Sequence, residues 1–148
     1  MSELNKVLFQ TIKEDTEFKG LTRNTAQDPR IYKTRTPVKI QVTDAQPSYV
    51  IYFTAGTSRI SSSSAIAIAQ RDDRTYSLEV YGKKDTNVEA ICKRIGRLFH
   101  EEEFITESYK IGFTYATRGR MGWDDARQLY LQTMMVFFTK VLALNLAS

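Results

Sequence analysis

Residues 128–142 read Gln128-Leu129-Tyr130-Leu131-Gln132-Thr133-Met134-Met135-Val136-Phe137-Phe138-Thr139-Lys140-Val141-Leu142, and the state assigned to them decides the fold. Aromatic and β-branched residues crowd the stretch from Met134 to Thr139, which favours a strand. Leu131, Met134, Met135, Phe138, Val141 and Leu142 would also line one helix face, so periodicity alone does not decide. The middle is read as strand, with room for one helical turn ahead of it, and the tail from 143 to 148 stays unassigned. A strand of that length reaches about 50 Å at roughly 3.3 Å per residue. A domain of 148 residues is only about 38 Å across. Such a strand must bend or project, and a projecting apolar ribbon needs cover from another chain.

Working outward, Tyr109, Ile111, Phe113 and Tyr115 alternate with Lys110, Gly112 and Thr114. This predicts a half-buried strand and hairpin partner for 128–142. Ala116 to Asp125 contains glycines and the only Trp and reads as a turn region. Upstream, Val88, Ile91, Cys92, Ile95, Leu98 and Phe99 form an apolar helical stripe ending near His100. Thr86-Asn87-Val88-Glu89 fits a capping box at its start. Glu101 to Glu103 follow, where the helix dipole disfavours anions. Ser48 to Thr54 reads as a central strand stopped by Ala55-Gly56. Ser58 to Ser64 reads as a polar break, Ala65 to Gln70 as a weaker strand, Arg71 to Arg74 as a charged turn, and Thr75 to Tyr81 as that strand's hairpin partner. At the N-terminus, Leu4, Val7, Leu8, Thr11 and Ile12 predict an amphipathic helix capped by Ser2. Gly20 to Pro47 is mostly loop, with Ile31 to Lys33 extended at best and Val38 to Val42 the better edge strand. A loop that long tends to be functional.

The length bounds the chain to one domain, 1–148, of 17.0 kDa. Hydrophobic and charged fractions of 42% and 26% exclude wholesale disorder. One cysteine excludes a disulfide framework, and one Cys with one His cannot build a tetrahedral zinc site. The formal charge of +4 and a pI near 9.2 are mildly basic, short of a dedicated nucleic-acid binder. No apolar run approaches a membrane span, and the first residues lack a secretory signal, so a reducing cytoplasm is the expected compartment.

Catalytic motifs are wanting. Gly82-Lys83-Lys84-Asp85 lacks the upstream glycine of a phosphate-binding loop. Cys92 and His100 lie eight residues apart on one helix, roughly 12 Å along its axis, too far for a nucleophile–base pair. The paired acids Asp72-Asp73 and Asp124-Asp125 read as solvated turns. No catalytic, metal or cofactor site is expected. Lys93, Arg94 and Arg97 make a basic helix face that could meet phosphate or a neighbour's acids, a solvated face being the plainer reading. Arg118, Arg120, Met121 and Trp123 combine the residue types enriched at protein interfaces.

Pro47-Ser48-Tyr49-Val50-Ile51-Tyr52, then Tyr76 to Tyr81 leading into the amphipathic helix, then the terminal strands at 109–115 and 128–142, resemble the tail terminator proteins of long-tailed bacteriophages, also called tail completion or tail-to-head joining proteins. The resemblance spans about residues 3–142 and rests on residue-type patterns; the Gly20–Pro47 stretch and the serine run at 61–64 depart from it. It implies an α+β domain: a mixed, mainly antiparallel sheet packed on two amphipathic helices, with a long C-terminal strand pair. It further implies a hexameric ring that caps the tail tube, stops its polymerisation and presents the head-joining surface. Partners would then be further copies, the tail tube protein and a head-completion or neck protein. Location would be the head-proximal end of the tail in the virion, after assembly in the host cytoplasm. Six copies would sum to about +24 near genomic DNA, with Arg71, Arg74, Lys83 and Lys84 as candidate channel residues and Arg118, Arg120, Met121 and Trp123 as candidate contacts. The rival readings are a neighbouring neck, stopper or tail-tube protein, and a small basic nucleic-acid-binding module.

Overall fold

A computed structural model describes residues 2–37, 40–61 and 70–144; of 57–61 and 70–72 only the backbone is described. The elements are α1 (Glu3–Lys13), α2 (Thr16–Thr22), β1 (Ile31–Lys33), β2 (Ser48–Ser61), β3 (Gln70–Gly82), α3 (Asp85–Leu98), β4 (Phe104–Ile105), β5 (Tyr109–Asp124) and β6 (Leu129–Ala143). They build the expected α+β architecture with one helix more than predicted. The six strands form one sheet ordered β1-β2-β3-β6-β5-β4, antiparallel except for β1–β2.

From Leu129 onward the deciding stretch is strand. Met134, Val136 and Phe138 are buried on one face, while Thr133, Met135 and Phe137 turn to the other. No helical turn precedes it. Residues 125–128 are the hairpin turn, in which the Asp124 carboxylate accepts from the Arg127 N–H and guanidinium. Glycine misleads at 116–125, of which all but Asp125 continues β5 instead of turning. A Cβ on Gly119 would lie 2.6 Å from Thr133 Oγ1 and 3.2 Å from the Thr133 carbonyl oxygen, so glycine is needed there for close strand approach. A bulge between Arg118 and Met121 adjoins it, and Gln132 Nε2 donates to the Gly119 carbonyl at 2.9 Å.

As far as Ser61 the polar break, and the charged turn throughout, prove to be strand; 62–64 lie outside the described residues. β2 passes a bulge at Thr54/Gly56 and runs to Ser61, and Arg71 to Arg74 pair with Ile60 to Thr57. Thus β2 is the hairpin partner of β3; it lies inside the sheet, flanked by β1 and β3, but the centre is β3 and β6. The strand expected at 65–70 lies, apart from Gln70, outside the described residues. Length is accommodated by joining four long strands side by side and bending them at three bulges.

The edge strand is Ile31–Lys33, not 38–42. Ile40 to Val42 are irregular, and Val38 and Lys39 lie outside the described residues. The loop also holds α2, capped by the Asp15 carboxylate accepting from the Phe18 N–H at 3.0 Å. Ser2 caps α1 as predicted, accepting from the Asn5 N–H at 3.1 Å. The capping box at α3 does not form. The helix starts at Asp85 with Lys84 as its N-cap, two residues before the predicted cap, which places Thr86 inside the first turn with its N–H on the Asp85 carboxylate at 2.8 Å.

One face of the sheet carries the main core. Leu4, Leu8 and Ile12 of α1, Phe18 of α2, and Val88, Ile91, Cys92 and Ile95 of α3 pack on Val50, Tyr52, Tyr76, Leu78, Met134, Val136 and Phe138. Phe99, Phe104, Tyr76 and Phe138 meet as a chain of tilted and edge-on rings with centroids 5.2–6.5 Å apart. The opposite, outer face has a smaller cluster of Tyr49, Ile51, Tyr81 and Leu129, joined by Ile40 and Val42 from the long loop.

Candidate interaction surface

Cys92 and His100 are poorly placed to act as a nucleophile and base. Cys92 is fully buried, and burial pushes its thiol up to about 12. A protonated, buried thiol is no nucleophile. His100 sits exposed past the end of α3, nearest Glu101 at 4.0 Å. Among the described residues no three His, Cys, Asp or Glu side chains converge on a metal-sized space, and no helix is long and apolar enough to cross a membrane.

The outer sheet face is more telling. At the β1 end of the sheet the loop covers it, pinned by Arg30. That residue is 1% exposed. Its guanidinium donates to the carbonyls of Ser48 (3.0 Å), Gln41 (3.0 Å) and Gln46 (2.9 Å) and pairs with Asp28 at 3.3 Å. It also lies over the Tyr49 ring at 5.8 Å, and Asp28 accepts from the Tyr32 hydroxyl. Burial, then the Asp28 carboxylate, drive the Tyr32 phenol well above its ordinary value. Arg127 closes the other side, 4.7 Å over the Tyr81 ring.

Further along, the described residues leave the same face only partly covered. Phe113, Tyr115, Met135 and Phe137 belong to neither core cluster; Phe113, Met135 and Phe137 are half-buried and Tyr115 is 38% exposed. Tyr115 and Phe137 are register partners whose rings stack at 4.4 Å and 10°. Alternating period was the available signal, but it grouped Tyr109 and Ile111 with Phe113 and Tyr115. In the structure Ile111 and Thr114 are buried while Phe113 and Tyr115 face outward. The phase slips at Gly112 and Lys140, between the pairs Ile111↔Val141 and Phe113↔Thr139, with Lys140 at φ 53°.

Arg118, Arg120, Met121 and Trp123 occupy the second half of β5, around its bulge. Met121 packs on the main core; Trp123, 49% exposed, meets Tyr130 edge-on at 5.0 Å and donates to Asp125 at 2.9 Å. Arg118 and Arg120 are exposed. The four basic candidates do not form one patch. Arg71 and Arg74 lie towards one end of β3; Lys83 and Lys84 follow its other end, roughly 30 Å from Arg74 at strand rise. Arg74 donates to Ser2 Oγ at 3.1 Å, Lys83 pairs with Asp44 at 3.2 Å, and Lys84 is exposed. On the basic face of α3, Lys93 pairs with Glu89 at 3.3 Å. Arg94 grips Asp15 through two bonds of 2.7 and 3.0 Å. Burial raises the Asp15 carboxyl, but the Arg94 and Phe18 hydrogen bonds outweigh it and hold it below its ordinary value.

The sequence matches no family model and no curated protein. In fold, the chain is similar to one from the solved structure "Virion of native gene transfer agent (GTA) particle", with a TM-score of 0.65 over 92% of this chain and 91% of that one. Identity is 8%, so the likeness is one of fold.

Proposed function

We propose that the protein is a structural component of a phage-type virion, without catalytic chemistry, and more narrowly a tail terminator. Copies close into a ring, expected to be a hexamer, that caps the tail tube, halts its growth and offers the surface for the head-side neck. The observation that carries this reading is the half-exposed, largely aromatic stripe of Phe113, Tyr115, Met135 and Phe137 on a long strand pair, outside both core clusters. Contiguous apolar surface of this kind on a small protein marks contact with other chains. Head-to-tail contacts whose rotation closes give rings. The fold likeness to a virion chain supports the broader statement, and the residue patterns at 47–52, 76–81 and 109–142 support the narrower one. Arg118, Arg120, Met121 and Trp123 are proposed contacts to tube or neighbour, and the channel-facing role of Arg71, Arg74, Lys83 and Lys84 is proposed with them.

Native mass spectrometry of the purified protein should give a species near six times 17.0 kDa. Negative-stain images with tail tubes should show density at tube ends only. A strictly monomeric chain, or decoration along the shaft, would overturn the terminator reading; repeats along the shaft would make it a tube protein.

A further inference from the structure

A groove of about 520 Å³ runs between α3 and the outer edge of β5, lined by Arg97, His100 and Gly96 on one side and Ala116 and Arg118 on the other. Two independent features meet there. The first is charge. Lys93, which also lines the groove, is taken by Glu89, but among the described residues Arg97 and Arg118 have no carboxylate partner. Against these two guanidiniums stands the single carboxylate of Glu102.

The second feature is an unfinished strand edge. β4 pairs only with Lys110 and Ile111, and the Glu101 N–H donates to the Thr114 carbonyl at 2.7 Å. That bond shows that Thr114 turns its main-chain groups away from β6. Backbone polarity alternates along a strand, so Ala116 and Arg118 present theirs outward too. Past Thr114, no described backbone group bonds to this edge. The residues with outward main chain are also those that line the groove. Gly96 leaves room, since a Cβ there would meet nothing within 4 Å.

We propose that this groove takes an extended acidic segment of another protein, added to β5 as a further strand. Its main chain pairs with Ala116 and Arg118, and alternate side chains, roughly 6.7 Å apart, carry carboxylates to Arg118 and Arg97. Guanidinium forks bind carboxylates bidentately, and strand addition supplies the main-chain bonds. A nucleic acid could meet the two guanidiniums but would leave the strand edge unpaired. The inference does not need the ring: a monomer that binds such a segment defeats the ring alone, and a ring that ignores it defeats this inference alone.

The probe is a fluorescent, end-blocked peptide of about four Val-Glu repeats, titrated into the full chain at low salt and read by anisotropy. Saturable binding is expected, with amide exchange slowed at Ala116 and Arg118 and no binding by the Val-Lys counterpart. Arg97→Glu with Arg118→Glu should weaken it by about tenfold or more, while Arg97→Lys with Arg118→Lys, as a folding control, keeps part of the affinity. N-methylation of alternate peptide amides should abolish it. The proposal is overturned by no binding at millimolar peptide, by indifference to N-methylation or to charge reversal, or by an oligothymidylate that binds more tightly and displaces the peptide.

Discussion

Two stretches of one sheet face are treated differently. Around Tyr49, Tyr81 and Leu129 the chain folds its own loop over the outer surface and locks it with Arg30; around Phe113, Tyr115 and Phe137 the described residues leave similar side chains only half covered. Alternation puts apolar side chains outward in both places, so the contrast arises from what is laid over the strands. A sheet that closes one half with a buried arginine bonded to three carbonyls and a carboxylate has the means to close the other. The open half is therefore better read as meeting something outside the chain.

Phe138→Ala should produce the largest change, because it removes a ring at the meeting point of Tyr76, Phe99 and Phe104. A loss of about 3–5 kcal/mol is expected by urea denaturation. Arg30→Ala comes next and attacks the covered half directly. It strips the Ser48, Gln41 and Gln46 carbonyls of their donor, with an expected loss of about 2–4 kcal/mol. Amide exchange should rise in the loop around Gln41 to Gln46 and not in α1; equal rises in both would break the comparison.

Arg94→Ala should cost about 1–2 kcal/mol, since the pair is only partly exposed. The Asp15 carboxyl is depressed in the folded state, so its stabilisation is present above the unfolded carboxylate value and is lost as pH falls below about 4. Wild-type stability should therefore fall more steeply between about pH 5 and pH 2.5 than that of the variant, measured by denaturation at each pH. Smallest in the isolated chain is Phe137→Ser, expected at about 1 kcal/mol for a half-buried ring stacked on one neighbour, although its neighbour is the costliest site. Its effect should appear in the oligomer instead, as loss of the high-mass species. A Phe137→Ser chain that still assembles fully would show the half-exposed stripe to be incidental.

The helices and the cores of the long strands were legible because period 3.6 and period 2 act within one segment. Leu4 to Ile12 and Val88 to Ile95 pack as their spacing predicts. What escaped depends on a partner strand. Gly119 looks like a turn residue until Thr133 lies opposite it, and Arg71 to Arg74 look like a turn until β2 runs alongside. Helix α2 was hidden because its seven residues bury little beyond Phe18 and Thr22 and include Gly20. Of the candidate surface, Trp123 and its arginines were visible as residue types. The half-exposed stripe was not, because the face change at Gly112 and Lys140 is invisible to a simple alternation.

Cys92 gives the molecule a clock. It is the sole thiol, with no surface accessible and its proton firmly held. A maleimide in native buffer can therefore consume it only when α3 lifts away from the strands beneath. With maleimide in excess enough that alkylation outpaces reclosing, its half-life times that breathing, and comparing it for free and assembled protein would report how far association stiffens the interior.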